Sequence, residues 1–164
     1  MNTTIGKLKV EAPEDRPETI MTRTFNAPRE LVYKAHSSCE HVSKWWGPRR
    51  HSFASCEMDF VEGGAWRYVL RNEDGSEEYP FKGEFREIQP PERLTWTFVY
   101  DVEPFKEHES VETIVFSEED GETTITVTSF YPSIEIRDAV ISTGMVEGAA
   151  ETYDRLEEYA ATLR

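Results

Sequence analysis

The chain has 164 residues and a formal charge of −14, from 32 acidic and 18 basic side chains. That length is one domain, large enough to bury a substantial core. The acidic excess excludes a nucleic-acid or anionic-membrane surface, because both need clustered Lys and Arg.

Residues 1–17 read as a polar N-terminal extension with Pro13 and Pro17, and Lys7 to Val10 as at most a short edge strand. Residues 18–164 read as one domain. Nothing before Glu18 has the apolar core of a signal peptide, and no run approaches a membrane span. Cys39 and Cys56 have no CxxC spacing and no neighbouring Cys/His set. They are expected to be reduced thiols in a cytoplasmic protein.

The first strand is predicted over Thr19 to Phe25. Asn26-Ala27-Pro28 opens a helix, since Pro suits the first helical position, and Leu31, Val32 and Ala35 supply its apolar stripe. A second short helix starts at Ser38 and stops at Trp45-Trp46-Gly47-Pro48, where Gly and Pro turn the chain. The two tryptophans are adjacent, so one is expected to face inward and the other to act as a lid or surface contact.

From His51 the period becomes two. Strands are predicted over His51 to Phe60, Ala65 to Asn72, Glu78 to Ile88, Arg93 to Tyr100, Glu109 to Ser117 and Thr123 to Tyr131. Gly63-Gly64, Asp74-Gly75, Pro90-Pro91 and Asp120-Gly121 mark turns. Tight turns mean an antiparallel meander, and alternation means one buried and one wet face.

Pro132-Ser133 begins a helical pattern that runs to Arg164 with Ser133 as N-cap. Gly144 and Gly148 interrupt it, at a cost of ~1 kcal/mol each in a helix interior. The pattern is either one kinked helix or two pieces parted at Gly144. The predicted architecture is α+β: a seven-stranded antiparallel sheet wrapped around a C-terminal helix over about Gly144 to Leu163, with two short helices between strands one and two.

Several segments together resemble a known family: Arg23 to Tyr33 (RTFNAPRELVY), Trp45-Trp46-Gly47-Pro48, Gly63-Gly64-Ala65-Trp66-Arg67, Gly83 to Ile88 (GEFREI) followed by Pro91 to Leu94, and Gly144-Met145 with Asp154-Arg155-Leu156. In this order they resemble the bacterial proteins named after the C-terminal domain of the heat-shock-protein-90 ATPase activator. That family lies in the START-like, polyketide-cyclase-related (SRPBCC) superfamily with the helix-grip, Bet v-like fold. The resemblance runs from about Ile20 to Leu163. It implies that the Trp-Trp-Gly-Pro segment closes a pocket mouth and that a deep apolar cavity for a small hydrophobic ligand lies under the long helix. A co-chaperone role toward the heat-shock-protein-90 ATPase is the alternative its name implies.

Inward phases select the candidate ligand-binding residues Trp46, Trp66, Tyr68, Phe81, Phe85, Trp96, Phe98, Met145, Ala149 and Tyr153. Aromatics line pockets, and a buried phenol such as Tyr153 needs a polar partner that a ligand oxygen would supply. Filling an ordinary core is the competing role. His36, His41, His51 and His108 are not spaced for a metal, and no cofactor motif or nucleophile set is present.

The candidate for acid–base chemistry of a cyclase or hydrolase type is Glu112, with Tyr68 or Tyr153 assisting. Asp59 and Glu84 oppose the apolar phases. The strand of Glu112 has two possible registers. One places it in the cavity with Ile114 and Phe116, either neutral or meeting Arg86, Tyr68 or a ligand; the other leaves it solvated. A solvated or partnered Glu112, and so binding without chemistry, is expected. The expected partner is a small apolar molecule, with no nucleic acid and no membrane, and a homodimer is compatible with the sequence.

Overall fold

The computed structural model describes residues 1–164. Nine strands and four helices follow one another: β1 (Asn2–Ile5), β2 (Leu8–Glu11), β3 (Glu18–Phe25), α1 (Arg29–Lys34), α2 (Cys39–Val42), β4 (Ser52–Met58), β5 (Ala65–Arg71), β6 (Glu78–Gln89), β7 (Arg93–Tyr100), β8 (Ser110–Glu119), β9 (Glu122–Phe130), α3 (Ile134–Ile141) and α4 (Met145–Thr162). All strands join one antiparallel sheet in the order β1-β2-β3-β9-β8-β7-β6-β5-β4. The strand count is nine rather than seven because the N-terminal segment is part of the sheet. Residues Asn2 to Glu11 form a hairpin whose second strand pairs with β3. Leu8 and Val10 are fully buried, two apolar positions on one face of a four-residue strand.

Tight turns set the meander. At the β8–β9 turn Asp120 and Gly121 both have positive φ, 53° and 78°. Those angles suit the mirror-image two-residue turn that matches strand twist. The C-terminal pattern is two helices. Ser133 caps α3, its hydroxyl accepting from the Ile136 N–H at 3.1 Å. Gly144 then takes φ 89°, a left-handed conformation that glycine alone adopts at no steric cost, and α4 restarts at Met145.

Three arginines fasten the layers. Arg23, 1% exposed, reaches from β3 to Asp154 at 2.7 Å and Glu157 at 2.9 Å on α4. Arg137 of α3 donates to the carbonyls of Pro13, Arg16 and Glu18 and so ties the N-terminal segment down. Arg155 of α4 donates to the carbonyls of Gly47 at 2.8 Å and Lys44 at 3.1 Å, which anchors the helix over the Trp-Trp-Gly-Pro segment.

Cys39 and Cys56 form a disulfide between α2 and β4. This corrects the reading as free thiols. They stand seventeen positions apart, across a helix-to-strand crossover, so only the fold brings them together. The thiol-based ground for a cytoplasmic location goes with it, since disulfides persist mainly in oxidising surroundings. No helix is long and apolar enough to cross a membrane.

The core divides in two. A large cluster centred on Leu8, Met21, Phe25, Leu94, Ile114, Phe116, Ile125 and Val127 packs under α1 and α4 through Val32, Val146, Ala150 and Leu156. A smaller one holds Val42, Trp66, Tyr68 and Phe85 on the β4–β7 side. Space remains between them.

Candidate functional site

That space is a cavity of about 660 Å³, inside the range of roughly 300–1,000 Å³ common for small-molecule pockets. The sheet's concave face forms its floor, α4 and the Gly144 break its roof, and the segment after α2 one wall. All ten residues singled out from the sequence border it, and so does Glu112.

One end is an aromatic box built on Trp46. Its ring centroid lies 5.0 Å from Phe81 and 5.1 Å from Tyr68, both edge-on, and 6.4 Å from Phe98. Trp66 lies 4.5 Å from Tyr68. Such tilted and edge contacts suit the ring quadrupoles. Gly83 makes this box possible. It pairs with Trp66 across the β5–β6 ladder, and a Cβ there would sit 2.6 Å from the indole nitrogen and 1.8 Å from the Thr97 carbonyl oxygen. The buried indole N–H of Trp66 has no hydrogen-bond partner.

Trp45 also turns inward, which corrects the expectation that one of the two tryptophans would be a lid or surface contact. It is 2% exposed, and its N–H donates to the Ala35 carbonyl at 2.9 Å. The short helix before it curls enough for Trp45 to enter the large core while Trp46 enters the box.

The other part of the floor is polar. Paired positions across the sheet form a row, Phe85 opposite Trp96, Trp96 opposite Glu112, Glu112 opposite Ser129 and Ser129 opposite Thr19. The neighbouring row, Leu94, Ile114, Val127 and Met21, is wholly apolar. Ile114 and Phe116 are buried, so the register is the one that sends Glu112 inward. The solvated alternative is overturned. The expected partners Arg86 and Tyr68 are not its partners either. Oε1 of Glu112 accepts from the indole N–H of Trp96 at 3.1 Å, and Oε2 accepts from the Ser129 hydroxyl at 3.0 Å. Arg86 instead meets Glu84 and Glu109 on the outside.

Burial pushes the Glu112 carboxyl above the usual carboxylate range, and these two hydrogen bonds restrain that rise. Its remaining exposure faces the cavity. Tyr153 on α4 and Tyr131 just beyond β9 also line the space. Both phenols are raised by burial first and by the Glu112 charge second, Tyr131 to about 12. Burial alone raises Tyr68. Neither Tyr68 nor Tyr153 hydrogen-bonds through its hydroxyl within the protein.

The family model described as activator of Hsp90 ATPase homolog 1-like protein matches residues 26–161. The chain belongs to this family. Solved structures of other bacterial proteins share the architecture. Protein Ms6760 from Mycobacterium smegmatis superposes with a TM-score of 0.80 at 23% identity, over 96% of each chain. A Rhodobacter sphaeroides protein gives 0.84 at 24% identity, over 94% of this chain and 99% of its own. Protein NE0264 from Nitrosomonas europaea gives 0.78 at 23%, over 92% and 97%. At these identities the likeness concerns the fold. No curated protein matches.

For this member of the activator-homologue family, the candidates Asp59, Glu84 and His41 fall outside the site, whereas His36, His51 and His108 border it. Asp59 and Glu84 are exposed. His41 hydrogen-bonds the Tyr159 hydroxyl at 2.6 Å. His36 touches the cavity but is a core residue, its Nδ1 paired with the Val32 carbonyl and its pKa lowered to about 4 by burial. Sequence reasoning missed Ser129 and Tyr131. Their strand's inward phase held the signal, but single hydroxyls in an alternating strand do not distinguish a site from ordinary sheet.

Proposed function

We propose that this protein binds a small, mainly apolar molecule inside the cavity between sheet and α4. The observation that carries this reading is a deep, partly open apolar space walled by Trp46, Trp66, Phe81, Trp96, Phe98 and Met145 and left unfilled by the protein's own core. Packed interiors keep few voids larger than a water molecule, so a space of this size with a glycine-broken roof is a receptacle. The helix-grip resemblance implies the same. Trp45, Trp46, Trp66 and Trp96 all line the cavity, so an apolar occupant is expected to quench intrinsic fluorescence. Mass spectrometry of small molecules retained by natively purified protein, with fluorescence titration by a naphthalene dye, tests it. No retained molecule and no saturable quenching would refute it.

A second reading makes the protein a proton-transfer enzyme of the cyclase or hydrolase type. The observation favouring it is the raised carboxyl of Glu112 on the cavity floor, because a general acid or base works best with a pKa near the operating pH. Here Glu112→Gln would abolish turnover of a bound molecule and retain its affinity. Turnover that survives the substitution would remove this reading.

A further inference from the structure

Glu112 is a half-buried carboxylate that faces the cavity and has no counter-ion. Its two hydrogen bonds come from neutral donors, Trp96 and Ser129. It takes part in no ion pair, although fourteen others are formed elsewhere in the protein. The one Lys or Arg bordering the cavity is Arg50, which is exposed and also faces an outer cleft with Asn72, Glu73 and Asp74. Buried charges are ordinarily paired. Each carboxylate oxygen here accepts one hydrogen bond and keeps a free acceptor position.

The surroundings of that carboxylate are aromatic. Trp96 touches it, and Tyr131 and Tyr153 line the same space close enough to feel its charge. Ring faces attract organic cations, most strongly when the cation is out of water. At the rim, Glu147 and Glu151 border the opening alongside Arg50 and His51, on a protein with a net charge of −14. A field of that sign draws cations toward a cleft.

Resting on the binding function proposed above, we infer that the occupant is an organic ammonium: an aromatic or otherwise apolar body with a protonated amine that donates to the carboxylate of Glu112. The apolar body fills the box around Trp46, Phe81 and Phe98. The ammonium supplies the counter-ion that the protein omits, and the hydroxyls of Tyr131, Tyr153 and Ser129 are placed for its remaining protons. No bond is made or broken.

The test uses the full chain and three isosteric probes, 2-(1-naphthyl)ethylamine, 2-(1-naphthyl)ethanol and 1-propylnaphthalene, with the larger 3-(1-naphthyl)propionic acid as the anionic probe. Isothermal calorimetry is run on the wild type and on Glu112→Gln. The amine is expected to bind about ten- to a hundred-fold tighter than the alcohol, the range for a hydrogen bond to a charged group. The acid is expected to bind weakest, and Glu112→Gln to remove the amine's advantage while leaving the hydrocarbon's affinity unchanged. If alcohol or hydrocarbon binds wild type as tightly as the amine, the ammonium inference is overturned and apolar binding stands. If Glu112→Gln keeps the amine's advantage, the inference is overturned as well. If no probe binds, the binding function itself is overturned. Comparison within the wild type decides the question even where the variant folds poorly.

Discussion

Replacing Glu112 with Gln is expected to make the protein more stable, and to do so only where the native carboxyl is ionised. Taking a carboxylate out of water costs several kcal/mol, and two hydrogen bonds to a charged group return about 1.5–3 kcal/mol each. Glutamine has no charge to desolvate, and its amide keeps both contacts. The amide oxygen accepts from the Trp96 N–H, and the amide nitrogen donates to the Ser129 oxygen, whose hydroxyl rotates to accept. The net gain is about 1–3 kcal/mol, or ~2–10 °C in Tm for a domain of this size. The folded carboxyl titrates above its unfolded value, so the folded state holds the proton more tightly. The penalty is absent below the unfolded pKa, grows as pH rises through both values and is complete above the folded one. Urea denaturation of both proteins at about pH 8 and again below about pH 4, the ordinary Glu range, should show a gain at the first and almost none at the second. His36, buried with its pKa lowered to about 4, destabilises wild type and variant alike in acid and cancels in the comparison. A variant less stable at the higher pH, or a gain independent of pH, would refute the claim that an unpaired charge sits in this cavity.

Gly148→Ala should stabilise by about 0.8–1 kcal/mol, the helix-propensity difference, because a Cβ there meets nothing within 4 Å; thermal denaturation measures it. Gly148→Phe, projecting into the same open space, should leave the circular dichroism spectrum intact and weaken naphthalene-dye binding. Gly83→Ala should destabilise by at least the ~1–3 kcal/mol typical of overpacking, since its Cβ would collide with the Thr97 carbonyl and the Trp66 indole; the urea midpoint reads this. Reduction of Cys39–Cys56, which closes a loop of seventeen residues, should cost about 3 kcal/mol, read as a drop in urea midpoint on adding dithiothreitol. Free-thiol titration before and after reduction shows whether the bond was present.

The meander and the closing helix were legible because period and turn residues agreed along most of the chain. Trp66, Tyr68 and Leu70 alternate with Arg67 and Arg71, and only one face of β5 can be buried. The N-terminal hairpin was not legible. Leu8 and Val10 are two apolar positions among charged ones, and what buries them is the partner strand β3 and the packing of α4. The disulfide was hidden for a related reason, since no local pattern records that α2 will lie against β4. The cavity aromatics were legible as an inward phase, but the phase alone does not separate a filled core from an open one. The opening comes from Gly83, which lets Trp66 lie flat on the sheet, and from the Gly144 break in the roof.

Glu112 shows where local reading ends and where the site's logic begins. Its strand offers two registers, and the choice belongs to Ile114 and Phe116, whose burial in the large core outweighs the cost of one inward carboxylate. Fully burying each of those side chains contributes about 1.5–3 kcal/mol, so together they carry a single charge inward at comparable cost. The apolar row beside it therefore fixes a residue that by itself would prefer water. A strand built only for stability would carry Thr or Val there, as at Thr113 and Val115 on its other face. The expense is offset only if the charge meets something the chain does not provide. Stability gained by Glu112→Gln together with amine affinity lost would be two readings of one missing counter-ion. Finding one without the other would separate a structural carboxylate from a binding one.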